Sequence, residues 1–223
     1  MTTHNLFLVD DHPITIDAYI NILSRLENSK TPKHFTTAFS CQEAYTKIVE
    51  RSQSQHTLDV AFLDISLPPY EEKNIQNGID LGILIREYFP QCKIILLTMH
   101  SEPVLLYNAI QKINPEGFIL KNDVNAQSLM IAYQSIVLGQ KFYSSTINKV
   151  LSQAIIKKLN FDLIDCEIIA LLSRGIRTKD MTERLELSLS TIEKRKSNIK
   201  TQLLNDKGTD KDIIDKAKNL GII

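Results

Sequence analysis

Asp10, Asp11, Asp64, Thr98 and Lys121 could together handle a phosphoryl group, and each closes a short apolar run. Leu6-Phe7-Leu8-Val9 ends in Asp10-Asp11, and Val60-Ala61-Phe62-Leu63 ends in Asp64. Lys93 to Leu97 ends in Thr98, and Gly117-Phe118-Ile119-Leu120 ends in Lys121. A charge within an apolar run is costly unless something pairs with it. Three carboxylates crowded together repel one another unless a cation intervenes. Hard oxygen ligands suit Mg²⁺, which keeps several waters and can bridge to a phosphoryl oxygen. A carboxylate can itself be the nucleophile in phosphoryl transfer. The remaining phosphoryl oxygens then need donors, which a lysine ammonium and a threonine hydroxyl supply. Taken singly, Asp10-Asp11 reads as a helix start, Thr98 as a strand end and Lys121 as a solvated lysine. Together, each at the end of a run, they point to one site.

The elements that must position these groups follow from periodicity. After Asp11, Pro13 suits a helix's first turn, and Ile14, Ala18, Ile22 and Leu26 recur at helical spacing. Phe35 to Phe39 reads as a strand. Ser40 and Glu43 form a capping box for a helix to about Arg51. Leu58 to Leu63 is the strand that ends at Asp64. Gly78 opens a helix through Tyr88, stopped by Pro90. Ser101 can cap a helix with Pro103 in its first turn, and Asn125 or a neighbour starts another that Gly139 closes. Strand and helix alternate five times, which predicts an α/β fold: a doubly wound five-stranded parallel sheet covered on both faces. In such sheets ligands bind at the carboxyl ends of the strands, where these polar groups lie.

The pattern Val9-Asp10-Asp11-His12-Pro13, Leu63-Asp64-Ile65-Ser66-Leu67-Pro68, Leu97-Thr98 and Gly117-Phe118-Ile119-Leu120-Lys121 resembles the receiver domain of bacterial two-component response regulators, over roughly residues 4–138. The resemblance implies a flavodoxin-like fold with Asp64 as phospho-acceptor from a histidine kinase. It implies Mg²⁺ bound directly by Asp11 and Asp64, with Asp10 reached through water and the Ser66 carbonyl completing the protein ligands. Thr98 would be the switch hydroxyl, Lys121 the phosphate-pairing lysine and Phe118 the switch aromatic. One departure is the segment from Pro69 to Asn77, longer than is usual between the Pro and the Gly of this motif. It reads as a surface insertion, with a lid or partner contact as the alternative.

Beyond Gly139 the pattern changes. Residues 139–159 read as a linker that includes a short helix from Ile147. Residues 160–223 read as four helices with a tight turn before the third, a helix-turn-helix unit. Ile192, Ile199 and Leu203 share an inner face of the third helix. Its outer face carries Lys194, Ser197 and Asn198, with Glu193 at the edge and Arg195, Lys196 and Lys200 flanking. A polar, net basic face suits a major groove. Thr178, Lys179, Ser188 and Ser190 suit phosphate contacts. The runs Leu163-Ile164-Asp165-Cys166-Glu167, Lys179 to Leu185 and Ser188-Leu189-Ser190-Thr191-Ile192-Glu193 resemble the DNA-binding domain of NarL/LuxR-type regulators. The resemblance makes the helix from about Thr191 the recognition helix and the last helix a dimer contact. Arg195 stands where that family commonly has His and is expected to add a phosphate contact on the DNA side, and Thr182 stands where the family commonly has Ala.

The expected organisation is a receiver domain at 1–138, a linker at 139–159 and a helix-turn-helix domain at 160–223. The function to expect is a DNA-binding transcription regulator, dimeric when active, switched by phosphorylation of Asp64, and not an enzyme in the ordinary sense. A phosphorylation-independent receiver or interaction module is the alternative. An aspartate-nucleophile phosphatase would need a second acid two residues after Asp64, where Ser66 stands. The 223 residues are 43% hydrophobic and 23% charged with net charge +0, an ordinary globular mixture rather than a basic coat. Three scattered cysteines indicate neither a disulfide framework nor a zinc site. No membrane-length apolar run or secretory leader is visible, so a cytoplasmic protein without membrane association is expected.

Overall fold

The structure is a computed structural model that describes residues 3–25, 32–54 and 56–223. The chain forms two compact units, 1–147 and 148–223. In the first, strands alternate with helices: β1 (His4–Val9), α1 (Pro13–Ser24), β2 (Lys33–Ala38), α2 (Cys41–Gln53), β3 (Val60–Asp64), α3 (Gly78–Tyr88), β4 (Lys93–Thr98), α4 (Pro103–Ile113), β5 (Gly117–Leu120), α5 (Ala126–Val137) and β6 (Phe142–Tyr143). Among the described residues the strands form one parallel sheet, ordered β2-β1-β3-β4-β5-β6. Successive side chains point to opposite faces. Leu6, Leu8, Phe62, Ile95, Leu97 and Ile119 pack with α1 and α5 through Ile16, Tyr19, Leu23, Leu129, Ala132 and Ile136. On the other face α2, α3 and α4 lie side by side. Every residue of β3 and β5 is buried, as strands covered on both faces should be.

Ser40 caps α2, its Oγ accepting the Glu43 N–H at 3.2 Å, but the expected box does not close: Glu43 Oε2 accepts the Phe39 N–H at 2.9 Å instead of that of Ser40. Asn125 caps α5 in a full reciprocal box with Ser128. Ser101 does not cap α4. Glu102 occupies that position without a side-chain bond, and Pro103 starts the helix.

Three expectations change. The sheet has six strands rather than five, because Phe142 and Tyr143 pair with Gly117 and Phe118. Two residues are too short a run to register as a strand by pattern. The start of the segment 139–159 therefore adds β6 to the sheet, and its expected helix is present as α6 (Ser145–Lys158), two residues earlier than Ile147. The buried stripe of α1 is Ile16, Tyr19 and Leu23; of the expected residues Ile22 packs at its edge, while Ile14 and Ala18 are exposed. Ile14 is 84% exposed. The helix is apolar nearly all round, so spacing alone does not choose its phase. Leu26 lies outside the described residues.

The second unit contains most of α6, then α7 (Leu163–Ser173), α8 (Thr182–Leu185), α9 (Leu189–Leu204) and α10 (Asp210–Asn219), with a 3₁₀ turn at Thr178–Met181. Ile168, Ile169, Met181, Ile192, Ile199, Ile213 and Ala217 form its core, with Ile156 of α6 packed against it. The third helix starts at Leu189, two residues before the expected Thr191. Ser188 caps it by accepting the Thr191 N–H at 3.3 Å. The helix before it opens with the 3₁₀ turn, in which Thr178 is the first residue.

Candidate functional site

β1 and β3 are neighbours, with Val9 opposite Leu63, so Asp10 and Asp64 emerge side by side at their carboxyl ends. This is the point where the strand order reverses, the usual ligand crevice of such sheets. Both carboxylates are almost fully buried. Lys121, just beyond β5, places Nζ 2.7 Å from Asp10 Oδ2 and 2.9 Å from Asp64 Oδ2. Burial disfavours its charge, but the two carboxylates outweigh that and hold its pKa above the ordinary lysine value.

The other oxygens meet the loops. Asp64 Oδ1 accepts the Ser66 N–H at 3.2 Å and Asp10 Oδ1 the His12 N–H at 3.1 Å. His12 Nδ1 lies 2.7 Å from Asp11 Oδ1 and 3.3 Å from Asp10 Oδ1. Asp10 Oδ2 and Asp11 Oδ1 are sealed from solvent and accept no well-aligned hydrogen bond. Their close neighbours are the cationic Lys121 Nζ and the His12 ring. Carboxylate oxygens short of donors suit a hard divalent cation. Ligand atoms of Asp10, Asp11 and His12 lie within 4.8 Å of one another. His12 had no role in the sequence reading, although it sits inside the quoted Val9-Pro13 motif.

Thr98 ends β4 and is fully buried, and its Oγ1 accepts the His100 N–H at 2.9 Å. The hydroxyl thus serves the turn after β4, and its own proton is free to be donated elsewhere. Gly78, at the start of α3, approaches the site so closely that a Cβ there would sit 1.9 Å from the Asp64 carbonyl oxygen. The segment 69–77 is a small hairpin. Tyr70 and Ile75 bridge, a 3₁₀ turn spans Glu71–Lys73, and Asn74 takes a left-handed conformation at φ 55°. Tyr70 packs edge-on against Tyr45 of α2, and Ile75 is buried.

Phe118 is fully buried, with the Tyr143 ring edge-on at 6.1 Å. Ser144 Oγ accepts the Leu120 N–H at 3.2 Å, and Asp123 accepts both the backbone N–H and the hydroxyl of Thr146. Phe118, the expected switch aromatic, is thus tied to the segment that follows α5. Tyr143 and Asp123 escaped the sequence reading, since their roles depend on β6.

In the second unit Thr191, Glu193, Lys194, Ser197 and Asn198 share the exposed side of α9, together with Ser190 in its first turn. Lys179 is exposed, whereas Thr178 Oγ1 accepts from Lys196 Nζ at 3.0 Å. Ser188 is spent on capping and on contacts with the Ser190 and Thr191 hydroxyls. Thr182 Oγ1 donates to the Lys179 carbonyl. Arg195 does not lie on the open face: Nη1 is 2.8 Å from both Asp162 Oδ2 and Asp165 Oδ1.

Residues 6–134 match the response regulator receiver domain family. The oxygen regulatory protein NreC of Staphylococcus epidermidis is 30% identical over 211 residues, 89% of this chain and 90% of NreC. NreC of Staphylococcus aureus is 26% identical over 210 residues, with the same shares covered. Among solved structures, the Salmonella typhimurium response regulator RcsB matches 98% of this chain and 100% of its own, at TM-score 0.55 and 22% identity. An RcsB–DNA complex matches 97% of this chain and 98% of its own, at TM-score 0.54 and 22% identity. At that identity the likeness shows the fold. Among the described residues no helix is long and apolar enough to cross a membrane. The receiver match and the near full-length likeness to NreC establish the family: the chain belongs to the response regulators of the NarL/LuxR type.

Proposed function

We propose that this chain is a DNA-binding transcription regulator switched by phosphorylation of Asp64 from a histidine kinase. The supporting observation is the placement of Lys121 Nζ between Asp64 and Asp10 in a buried acidic corner. An Asp64 oxygen attacks the phosphorus of a phosphohistidine. A P–O bond forms as the P–N bond breaks, and the imidazole nitrogen leaves with the electron pair and takes a proton. Lys121 then donates to a phosphoryl oxygen instead of a carboxylate. Asp10, Asp11 and Asp64, with the Ser66 carbonyl, would hold Mg²⁺, which when bound supplies positive charge to the transferring group. Thr98 turns its hydroxyl from the His100 N–H towards the phosphoryl group, and Phe118 repacks behind it. The added charge, about −1.5 to −2 for comparable phosphoryl groups, shifts a two-state equilibrium.

The output is a dimer in which Thr191, Glu193, Lys194, Ser197 and Asn198 face the major groove, with Lys179 and Ser190 towards phosphates. Likeness to NreC along nearly the whole chain supports this reading. So does the fold neighbour RcsB, which occurs as dimers bound to DNA. We place the receiver in the unit 1–147, which takes in β6, and the DNA-binding domain in the unit 148–223, and the working compartment in the cytoplasm with the DNA. Footprinting on genomic DNA, with and without acetyl phosphate and Mg²⁺, tests the whole reading. Discrete protected sites should sharpen on treatment of the wild type and not of Asp64→Asn. Identical footprints for both proteins would contradict it.

A further inference from the structure

We propose that Arg195 is a positioning residue that fixes the recognition helix α9 to the start of α7, not a DNA contact. This deepens the DNA-binding reading above and rests on it. Asp162 is the N-cap of α7 and Asp165 its third residue, and the two form a reciprocal box. Asp165 N donates to Asp162 Oδ1 at 2.9 Å, and Asp162 N donates to Asp165 Oδ2 at 3.2 Å. Each carboxylate therefore has one oxygen left. Arg195 Nη1 takes both, Asp162 Oδ2 and Asp165 Oδ1, each at 2.8 Å. All four oxygens are then matched.

If Arg195 swung away to a DNA phosphate, Asp165, only 4% exposed, would keep a buried negative charge with no cation. The two aspartates would also stand near the approaching backbone unneutralised. On the opposite flank Lys196 makes a parallel arrangement, reaching Thr178 Oγ1 at 3.0 Å and Asp210 Oδ2 at 2.6 Å. The recognition helix is thus pinned to α7 by one cation and to α10 and the 3₁₀ turn by the next. Lys194, exposed and without such partners among the described contacts, is left as the cation for the groove.

The two roles predict opposite signs at Asp162. A phosphate-binding Arg195 would be freed by Asp162→Asn, and DNA binding would tighten. A positioning Arg195 would lose an anchor, and binding to specific sites would weaken. Asn is as good an N-cap as Asp, so α7 itself stays capped in this variant. The test uses the full chain, a duplex carrying a footprinted site and a random duplex, over a series of salt concentrations. For Arg195→Met we expect about 3- to 10-fold weaker binding to the footprinted site, little change on random DNA, and an unchanged slope of log K against log salt. Asp162→Asn should weaken specific binding in the same direction, by a smaller factor. A slope shallower by about one, with equal losses on both duplexes, would show that Arg195 neutralises a phosphate and would overturn the proposal. So would tighter binding by Asp162→Asn. A wild type that discriminates between the duplexes while the variants behave in either of these ways refutes only the role of Arg195. A wild type that does not discriminate refutes the DNA-binding reading beneath it.

Discussion

The same arrangement occurs twice in this chain with opposite consequences: one cation held between two aspartates. Lys121 lies between Asp10 and Asp64, which come from different strands and are both nearly fully buried. Arg195 lies between Asp162 and Asp165, which come from one helix turn. In the first pair, Asp10 Oδ2 has only the ion pair and no well-aligned hydrogen bond. In both pairs each carboxylate accepts a backbone N–H on one oxygen and turns the other to the cation, but in the second both remaining oxygens are hydrogen-bonded by Arg195. An ammonium is a point charge on a flexible stem and can change partners, whereas Arg195 reaches both carboxylates through Nη1 of a rigid, planar group. A site that must accept a new anion is built from the loose arrangement. A helix that must keep one orientation is built from the satisfied one.

Removing each cation should bring the difference out. Lys121→Met leaves two buried acids facing one another. Breaking a buried pair from one side typically costs about 3–5 kcal/mol. Urea unfolding of the first unit should show a loss of that order, partly restored by millimolar Mg²⁺, which replaces the missing positive charge. Arg195→Met leaves Asp165 buried but still accepting the Asp162 N–H, beside a half-exposed Asp162, and should cost less, about 1–3 kcal/mol, with no response to Mg²⁺. Equal losses, or a Mg²⁺ response in both, would break the comparison.

A smaller effect separates the two by pH. The Asp162 carboxyl is held below the ordinary carboxylate value, first by the Asp165 N–H and, against some burial, by Arg195. A depressed acid contributes stability above its unfolded pKa of about 3.9 and loses it as pH falls through the lower folded value. Lys121 is shifted upwards, so its contribution is complete below about pH 10.4 and is lost only as pH rises through the higher folded value. The Arg195 pair should therefore weaken at the acid end and the Lys121 pair at the alkaline end. Carboxyl NMR titration checks the first: the Asp162 midpoint should rise in Arg195→Met but stay below an ordinary carboxylate, because the Asp165 N–H remains.

The sequence made the first site more legible than the second. Strand ends are marked by a change from apolar to polar residues, and Asp10, Asp64, Thr98 and Lys121 each stand at such a change. Their convergence follows from the parallel topology alone. The phase of α1 was hidden because Ile14, Ile16, Ala18, Tyr19, Ile20, Ile22 and Leu23 offer two apolar stripes. β6 was hidden because two residues carry no period, and with it the contact of Tyr143 on Phe118. Arg195 was assigned to the DNA face because helical spacing shows that a residue flanks a face, not that two acids thirty residues earlier will claim it. His12 was legible as a motif residue but not as a neighbour of both carboxylates, since that depends on the turn after β1.

The central claim is that Asp64 receives the phosphoryl group in the pocket that Lys121 and Asp10 complete. Intact-mass measurement after treatment with acetyl phosphate and Mg²⁺ tests it most directly. The wild type should gain one phosphoryl group, Asp64→Asn none, and omission of Mg²⁺ should suppress the gain. Phosphorylation of Asp64→Asn at the wild-type level would contradict the account.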